Sequence, residues 1–207
     1  YRAAVELMKD IEVLPYEGAQ EGRNLWRESN LRRAAQLIAA GEPKQAGRAV
    51  ALARTWPRHL GVGKPYDDLV DERVEDFLDL CTLRRPKAMR TQPSVSQSEA
   101  ALAAYAERPS QGPFRSADLL TALVLRERGN RTWGEKRLSG WLAAEPGSQG
   151  ARWCWAVWQG DWEQAAGIAA EAPQVIERLP YVSYFEDRDF SLLKDNADLL
   201  KACFPQE

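Results

Sequence analysis

Three glycines in this chain head the same run of side chains. Gly129 is followed by the small residue Gly134 five positions on, Leu138 nine on, Trp141 twelve on and Pro146 seventeen on. Gly41 is followed by Ala46, Val50 and Ala53 at the same three intervals, with Pro57 at sixteen, and Gly160 by Ala165, Ala169 and Ala172, with Pro173 one residue beyond. Seven residues before the first two glycines stand Ala34 and Ala122, and four before them Leu37 and Leu125. This order has a mechanical meaning. A glycine lets one helix end in a left-handed turn, a small residue lets two helices cross closely, and a proline stops the second helix. The spacing predicts helical hairpins over about 22–57, 113–146 and 147–173, each able to bury its apolar face only against a neighbour.

Composition agrees. Alanine occurs 30 times in 207 residues, and β-branched residues never alternate over the length of a strand; such a chain favours helices. Tyr1 to Leu14 carries Ala4, Leu7, Met8, Ile11 and Leu14 at helical spacing and stops at Pro15. Glu21 to Ala40 turns Leu25, Trp26, Leu31, Ala34, Ala35, Leu37 and Ile38 inward, and Pro43 to Thr55 follows it. Val70 to Leu83 presents Val74, Phe77, Leu78 and Cys81 on one face. The Gly- and Pro-punctuated stretch at about 58–69 and the stretch at about 84–97, with Pro86 and Pro93, read as irregular connections. Ser98 stands as the cap of a helix over Glu99 to Glu107. Pro113 to Arg128 pairs with Asn130 to Ala144, Ser148 to Gln159 with Asp161 to Glu171, and a capping helix closes the chain at about 190–203. The segment RWCWAVW, Arg152 to Trp158, alternates like a strand. Ala151, Trp155 and Trp158 nevertheless recur at helical spacing between a capping Ser148 and a terminating Gly160, which favours helix.

Charge and chemistry exclude several classes. Lys and Arg total 28 against 30 Asp and Glu, for a net charge of −2, so the basic footprint of a nucleic-acid binder is missing. No apolar run has the length of a membrane span. His59 is the single histidine, and Cys81, Cys154 and Cys203 have no CxxC spacing, which leaves no set for a metal, a cofactor or nucleophilic catalysis. The expectation is a non-enzyme without cofactor. Tyr1 lies inside a helical pattern, so the sequence reads as a piece of a longer protein; the compartment stays open, with the bacterial cytoplasm slightly favoured for a soluble chain, and the oligomeric state stays open too.

Three features invite a functional reading beside a structural one. GVGKP at Gly61 to Pro65 has Pro65 where a phosphate-binding loop needs a hydroxyl, and a helix precedes it where such a loop follows a strand, so it reads as a connection. Asp67, Asp68, Asp71, Glu72, Glu75, Asp76 and Asp79 form an acidic run; the expected role is a solvated, helix-capping face with Arg73 in reach of Asp76, the alternatives a carboxylate dyad or a cation contact. Trp153, Trp155, Trp158 and Trp162 lie within ten residues and point in several directions on a helix. They either fill voids between Ala-rich helices or line a groove, where Trp153 and Trp158 are the best placed.

The glycine-headed spacing, clearest over Ser116 to Pro146 and again in GDWEQAA from Gly160 to Ala166, resembles the tetratricopeptide repeat. That resemblance implies an all-α, right-handed stack of antiparallel helical hairpins in one domain over 1–207. It also implies that the first helix of each pair lines a concave, partner-binding surface, which places Ser116, Leu119, Leu123 and Arg126 from one copy and Glu28, Leu31 and Ala35 from another toward a ligand. LPYEGAQEGR (Leu14 to Arg23) and WPRHLGVGKPYDDLVDERVEDFL (Trp56 to Leu78) resemble the C-terminal helical part of large bacterial proteins in which a carbohydrate-oriented β-rich region precedes such repeats. Trp56, Pro57, Leu60, Gly61, Gly63 and Lys64 match that family's linker, and Arg58 departs from it. The implied role is a scaffold for a protein or peptide, including the N-terminal region of its own full-length chain, with neither nucleic acid nor membrane as partner. The alternative is an accessory domain bordering a sugar site.

Overall fold

The computed structural model describes residues 1–14, 21–61, 63–64, 70–84, 93–108, 112–171 and 187–205. Among them all regular structure is helical. The helices are α1 (Arg2–Lys9), α2 (Glu21–Ala39), α3 (Pro43–Ala53), α4 (Arg73–Arg84), α5 (Pro93–Ala104), α6 (Asp118–Glu127), α7 (Thr132–Ala144), α8 (Gln149–Gln159), α9 (Trp162–Ala170), α10 (Arg188–Asp195) and α11 (Ala197–Cys203), with single 3-10 turns at Arg58–Leu60 and Tyr105–Glu107. The chain divides into two compact units. The first holds Tyr1–Glu99 and Asp198–Cys203, the second Ala100–Ala197 and Phe204–Glu207. The division falls inside α5, in the stretch that carries no copy of the glycine spacing.

The helices on either side of each of the three glycines pack on one another, α2 on α3, α6 on α7 and α8 on α9. Gly41, Gly129 and Gly160 have φ of 78°, 84° and 82°, a left-handed conformation costly for any residue with a Cβ. The turn they make is the same each time. The N–H after the glycine returns to the carbonyl four residues before it: Glu42 to Leu37 at 2.9 Å, Asn130 to Leu125 at 2.8 Å, Asp161 to Ala156 at 2.9 Å. The glycine N–H itself bonds the carbonyl three residues back, on Ile38, Arg126 and Val157. Carbonyls left open at the helix end are satisfied and the chain reverses at once. The second helix then starts on Pro43, which is suited to a first helical position, or on Asp161, whose side chain accepts the Gln164 N–H at 2.9 Å. RWCWAVW is helical, capped by Ser148, whose Oγ accepts the Ala151 N–H.

The small residue five positions after each glycine sits where the helices touch. Ala46 and Ala165 are buried, and a Cβ added to Gly134 would lie 2.8 Å from the Cβ of Ala122 and 2.7 Å from the Trp158 ring. In the first unit α1 lies on α2, α4 packs on α2 and α3, and Val5, Met8, Trp26 and Leu60 form one apolar cluster. In the second unit α8 packs on α6 and α7 as well as on α9, which leaves it buried nearly all round.

Several boundaries differ from expectation. α1 ends at Lys9 because the Val13 N–H leaves helical pairing for the His59 carbonyl, 2.7 Å away; Leu7, Ile11 and Leu14 of the apolar stripe are exposed, as is Leu25, which was expected inside. α5 begins at Pro93, where an irregular connection was expected, since a proline that breaks a helix interior is well suited to its first turn. α6 begins at Asp118 rather than Pro113, because the Asp118 carboxylate takes the Arg115 N–H at 3.1 Å and organises a turn ahead of the helix. The closing helix is two helices, α10 and α11, parted at Asn196. Pro15, Pro86, Pro173, the Tyr181 to Phe185 stretch, Asp67 and Asp68 lie outside the described residues.

Two glycines test this packing in opposite directions. A Cβ on Gly47, inside α3, meets nothing within 4 Å, so Gly47→Ala is expected to raise stability by about 1 kcal/mol through helix propensity alone. Gly134→Ala is expected to lower it by about 1–3 kcal/mol through overpacking against Ala122 and Trp158. Urea unfolding of the two variants beside the parent measures both.

Candidate functional site

The described members of the acidic run do not form a solvated face. Asp71, Glu72, Asp76 and Asp79 are half-buried and Glu75 is fully buried, and each meets an arginine. Arg27 grips Glu75 with two hydrogen bonds of 2.6 and 2.7 Å. Arg54, just past the end of α3, reaches Asp79 at 2.7 Å, Asp76 at 2.9 Å and Glu72 at 3.3 Å, which fastens α3 to α4. Arg73 pairs with Asp71 at 2.7 Å instead of with Asp76. One guanidinium among three carboxylates leaves negative charge in excess. Burial pushes the Asp76 carboxyl up to about 6 against the pull of Arg54, with Asp79 and Glu72 adding repulsion, and burial likewise raises Asp79. Burial works against the charge of Arg54, yet Asp79 and Asp76 hold its pKa above the ordinary value. The cluster acts as a clasp between helices. Behind it Arg23, 4% exposed, donates to the Ala53 carbonyl at 2.8 Å and lies 4.4 Å over Trp56; burial lowers its pKa to about 10, with Arg27 adding repulsion. His59 sets its Nε2 3.1 Å from the Met8 carbonyl, where it ties the 3-10 turn to α1.

The residues expected to line a groove are mostly inside. Trp153, Trp158, Ser116, Leu119, Leu123 and Leu31 are each at most 1% exposed, so none presents a face to a ligand. Trp158 occupies the space opposite Gly134, its indole N–H donating to Glu135 at 2.8 Å. Trp153 meets Phe190 edge-on at 5.8 Å. Arg126 is half-buried, donates to the Trp158 carbonyl at 3.2 Å and covers that ring at 5.2 Å. Glu28 pairs with Arg32 one turn along α2 at 2.8 Å, and Ala35 is buried. The physical reason is the number of neighbours. α8 is covered by α6, α7 and α9, so the ring fillers on those sides are core.

Ser116 has a structural task. Its N–H and hydroxyl both donate to the Asp187 carboxylate, at 2.6 and 2.8 Å, which anchors the start of α10 to the turn before α6. Cys154 reaches the Ser116 carbonyl at 3.9 Å, and burial, followed by the charges of Asp187 and Asp118, raises its pKa well above the usual thiol value, which leaves it no thiolate for nucleophilic work. Burial and the neighbouring Asp189 push the Asp187 carboxyl up to about 6, opposed by the two Ser116 donors and Arg115. Asp118 is bound by Arg137 at 2.8 Å, whose guanidinium also takes the Pro113 carbonyl at 2.8 Å and lies 4.4 Å over Phe114.

An open cavity of about 360 Å³ is lined by Leu142 of α7, Arg152 and Trp155 of α8, Gln164, Gly167 and Ile168 of α9, and Glu171. Trp155, one of the four tryptophans expected either to fill voids or to line a groove, is half-buried and borders this cavity. Gln149 donates to the Ile168 carbonyl at 2.7 Å and ties the end of α9 to the start of α8. Arg152 and Glu171 form an ion pair at the rim. Among the described residues neither the Trp155 indole N–H nor the Gln164 side-chain amide has a partner in the protein. The sequence carried one signal for this site: Gly167, a helix-interior glycine for which no turn or close crossing accounts. No group of three or more His, Cys, Asp and Glu among the described residues is arranged to hold a metal ion, and no described helix is long and apolar enough to cross a membrane. The chain matches no family model, and no curated protein or solved structure matches it.

The raised pKa of Asp187 sets a pH dependence. Its folded value of about 6 lies above the ordinary aspartate value of 3.8, so its contribution favours folding below about pH 4 and is lost as pH rises through about 6. Asp187→Asn, which keeps an acceptor for Ser116, is expected to match the parent at pH 4 and to exceed it in stability above pH 7. Urea midpoints from pH 4 to 8 measure the difference, at most about 3 kcal/mol for two pKa units.

Proposed function

We propose that this chain is a non-catalytic helical-repeat scaffold that binds protein, either a segment of another chain or a segment elsewhere in its own, and that its hairpins stack in the manner of tetratricopeptide repeats. What carries the reading is how the reactive side chains are used. His59, the carboxylates from Asp71 to Asp79, Asp118 and Asp187 are bonded to other parts of the fold, and Cys81, Cys154 and Cys203 are buried. Among the described residues the second unit presents an open, mostly apolar cavity with a tryptophan at its edge, and large amphipathic rings are effective anchors in protein recognition. An accessory role beside a sugar site is the second reading, favoured by the half-buried Trp155 ring and the Gln164 amide that border the same cavity.

Selection from a displayed random-peptide library separates the two. The scaffold reading expects a recurrent peptide pattern and synthetic members of it that change tryptophan emission at micromolar concentration, while a panel of neutral oligosaccharides leaves the emission unchanged. A selection without recurrent sequences, together with an emission change on oligosaccharides, would overturn it.

A further inference from the structure

We infer that the clasp between α3 and α4 is a proton-operated fastener: it holds α4 firmly while one proton sits among the three carboxylates around Arg54, and less firmly once that proton leaves. The inference does not depend on the scaffold reading. Its ground is the arrangement of charge in the clasp. Glu72, Asp76 and Asp79 follow one another at intervals of four and three, so they share one face at the start of α4, where like charges repel. Arg54 meets all three with one guanidinium, its Nη1 on Asp79 at 2.7 Å, its Nη2 on Asp76 at 2.9 Å and its Nε 3.3 Å from Glu72. All four side chains are about two-thirds buried or more, so water screens the imbalance only in part.

The charged groups of the elements around this part of α4 are bound elsewhere. On α2, Arg27 holds the buried Glu75 with two hydrogen bonds, Glu28 and Arg32 pair with each other, and Arg23 donates to the Ala53 carbonyl. At the start of α4 Arg73 holds Asp71 at 2.7 Å, and at its far end Arg84 holds Glu99 at 2.8 Å. Among the described residues the cation bonded to Asp76 and Asp79 is thus Arg54, and these acids are not arranged to hold a metal ion. A proton from water is the remaining way to reduce the repulsion, and Asp76 receives it. Its side chain is 18% exposed against 32% for Glu72 and 31% for Asp79, so its charge is the costliest of the three to bury, while water still reaches it. A place in the first turn of α4 favours a negative charge. Burial, with Asp79 and Glu72 adding repulsion, outweighs both that and Arg54, and lifts the Asp76 carboxyl from the ordinary 3.8 to about 6. Because the folded value is the higher one, the fastening is complete below about pH 4 and is lost as pH rises through about 6.

The test uses the whole 207-residue chain carrying Asp187→Asn, which removes the other carboxyl raised to about 6, and reads two quantities from pH 4 to 8. The first is the ¹³C resonance of the Asp76 carboxyl, assigned through Asp76→Asn. It is expected to titrate near 6, and at a lower pH once Asp79→Asn removes a like charge and leaves Arg54 to the other two acids. The second is amide hydrogen exchange in α4, corrected for the intrinsic pH dependence of exchange. It is expected to be about tenfold slower at pH 5 than at pH 8, the ratio given by a carboxyl that titrates at about 6 in the fold and 3.8 outside it. Asp76→Asn, which keeps an oxygen for Arg54, is expected to bring that ratio close to one while far-ultraviolet circular dichroism stays that of the parent. Four results would overturn the inference: an Asp76 midpoint at the ordinary aspartate value, a midpoint that Asp79→Asn leaves in place, equal corrected exchange at pH 5 and pH 8, or a ratio that survives Asp76→Asn.

Discussion

Each hairpin depends on one backbone event, a glycine at φ near +80° whose following N–H returns to the carbonyl four residues before it. The bond closes the first helix and aims the second back along it within two residues. Since both helices then run side by side from the turn outward, the residue five positions on arrives at the crossing, and only a small one fits. Gly134 shows how little space remains, with Ala122 and Trp158 both closer than a Cβ tolerates. Turn and crossing are thus one constraint, expressed twice along the sequence.

Several charged groups in this molecule work inward. Arg54 spans three carboxylates to join α3 and α4, Arg27 holds the buried Glu75, Arg137 binds Asp118 and two carbonyls, and Asp187 takes both donors of Ser116. Ala-rich helices have small side chains and little apolar area to bury, so ion pairs and tryptophan rings bridge what Leu and Phe would otherwise fill. Such pairs contribute position as much as stability, because desolvation offsets much of their attraction. The raised pKa values of Asp76 and Asp187 are the sign of that offset.

The hairpins were legible because their signal is local: Gly41, Gly129 and Gly160 need no distant partner to specify a left-handed turn. Ser148 and Gly160 likewise decided helix over strand for RWCWAVW. The tryptophans were not legible in the same way. Which of Trp153, Trp155 and Trp158 is buried depends on which helices cover α8 on each side, and helical period within one segment carries no information about that. Ser116 and Asp187 meet across 71 residues, a pairing that spacing does not encode. Pro93 was misread because a proline ends one helix and begins another with equal ease. The acidic run was read as solvated since acids usually are, and its arginine partners Arg27 and Arg54 stand about 20–50 residues earlier in the chain.

The measurement closest to the central claim is a comparison of Asn and Val at Gly41, Gly129 and Gly160. Asn tolerates the left-handed region, whereas a β-branched residue does not. If the glycine turns set the hairpins, each Asn variant retains helical content and loses about 1 kcal/mol or less, and each Val variant loses at least about 1 kcal/mol more in urea unfolding. Equal losses for Asn and Val at all three positions would contradict the account.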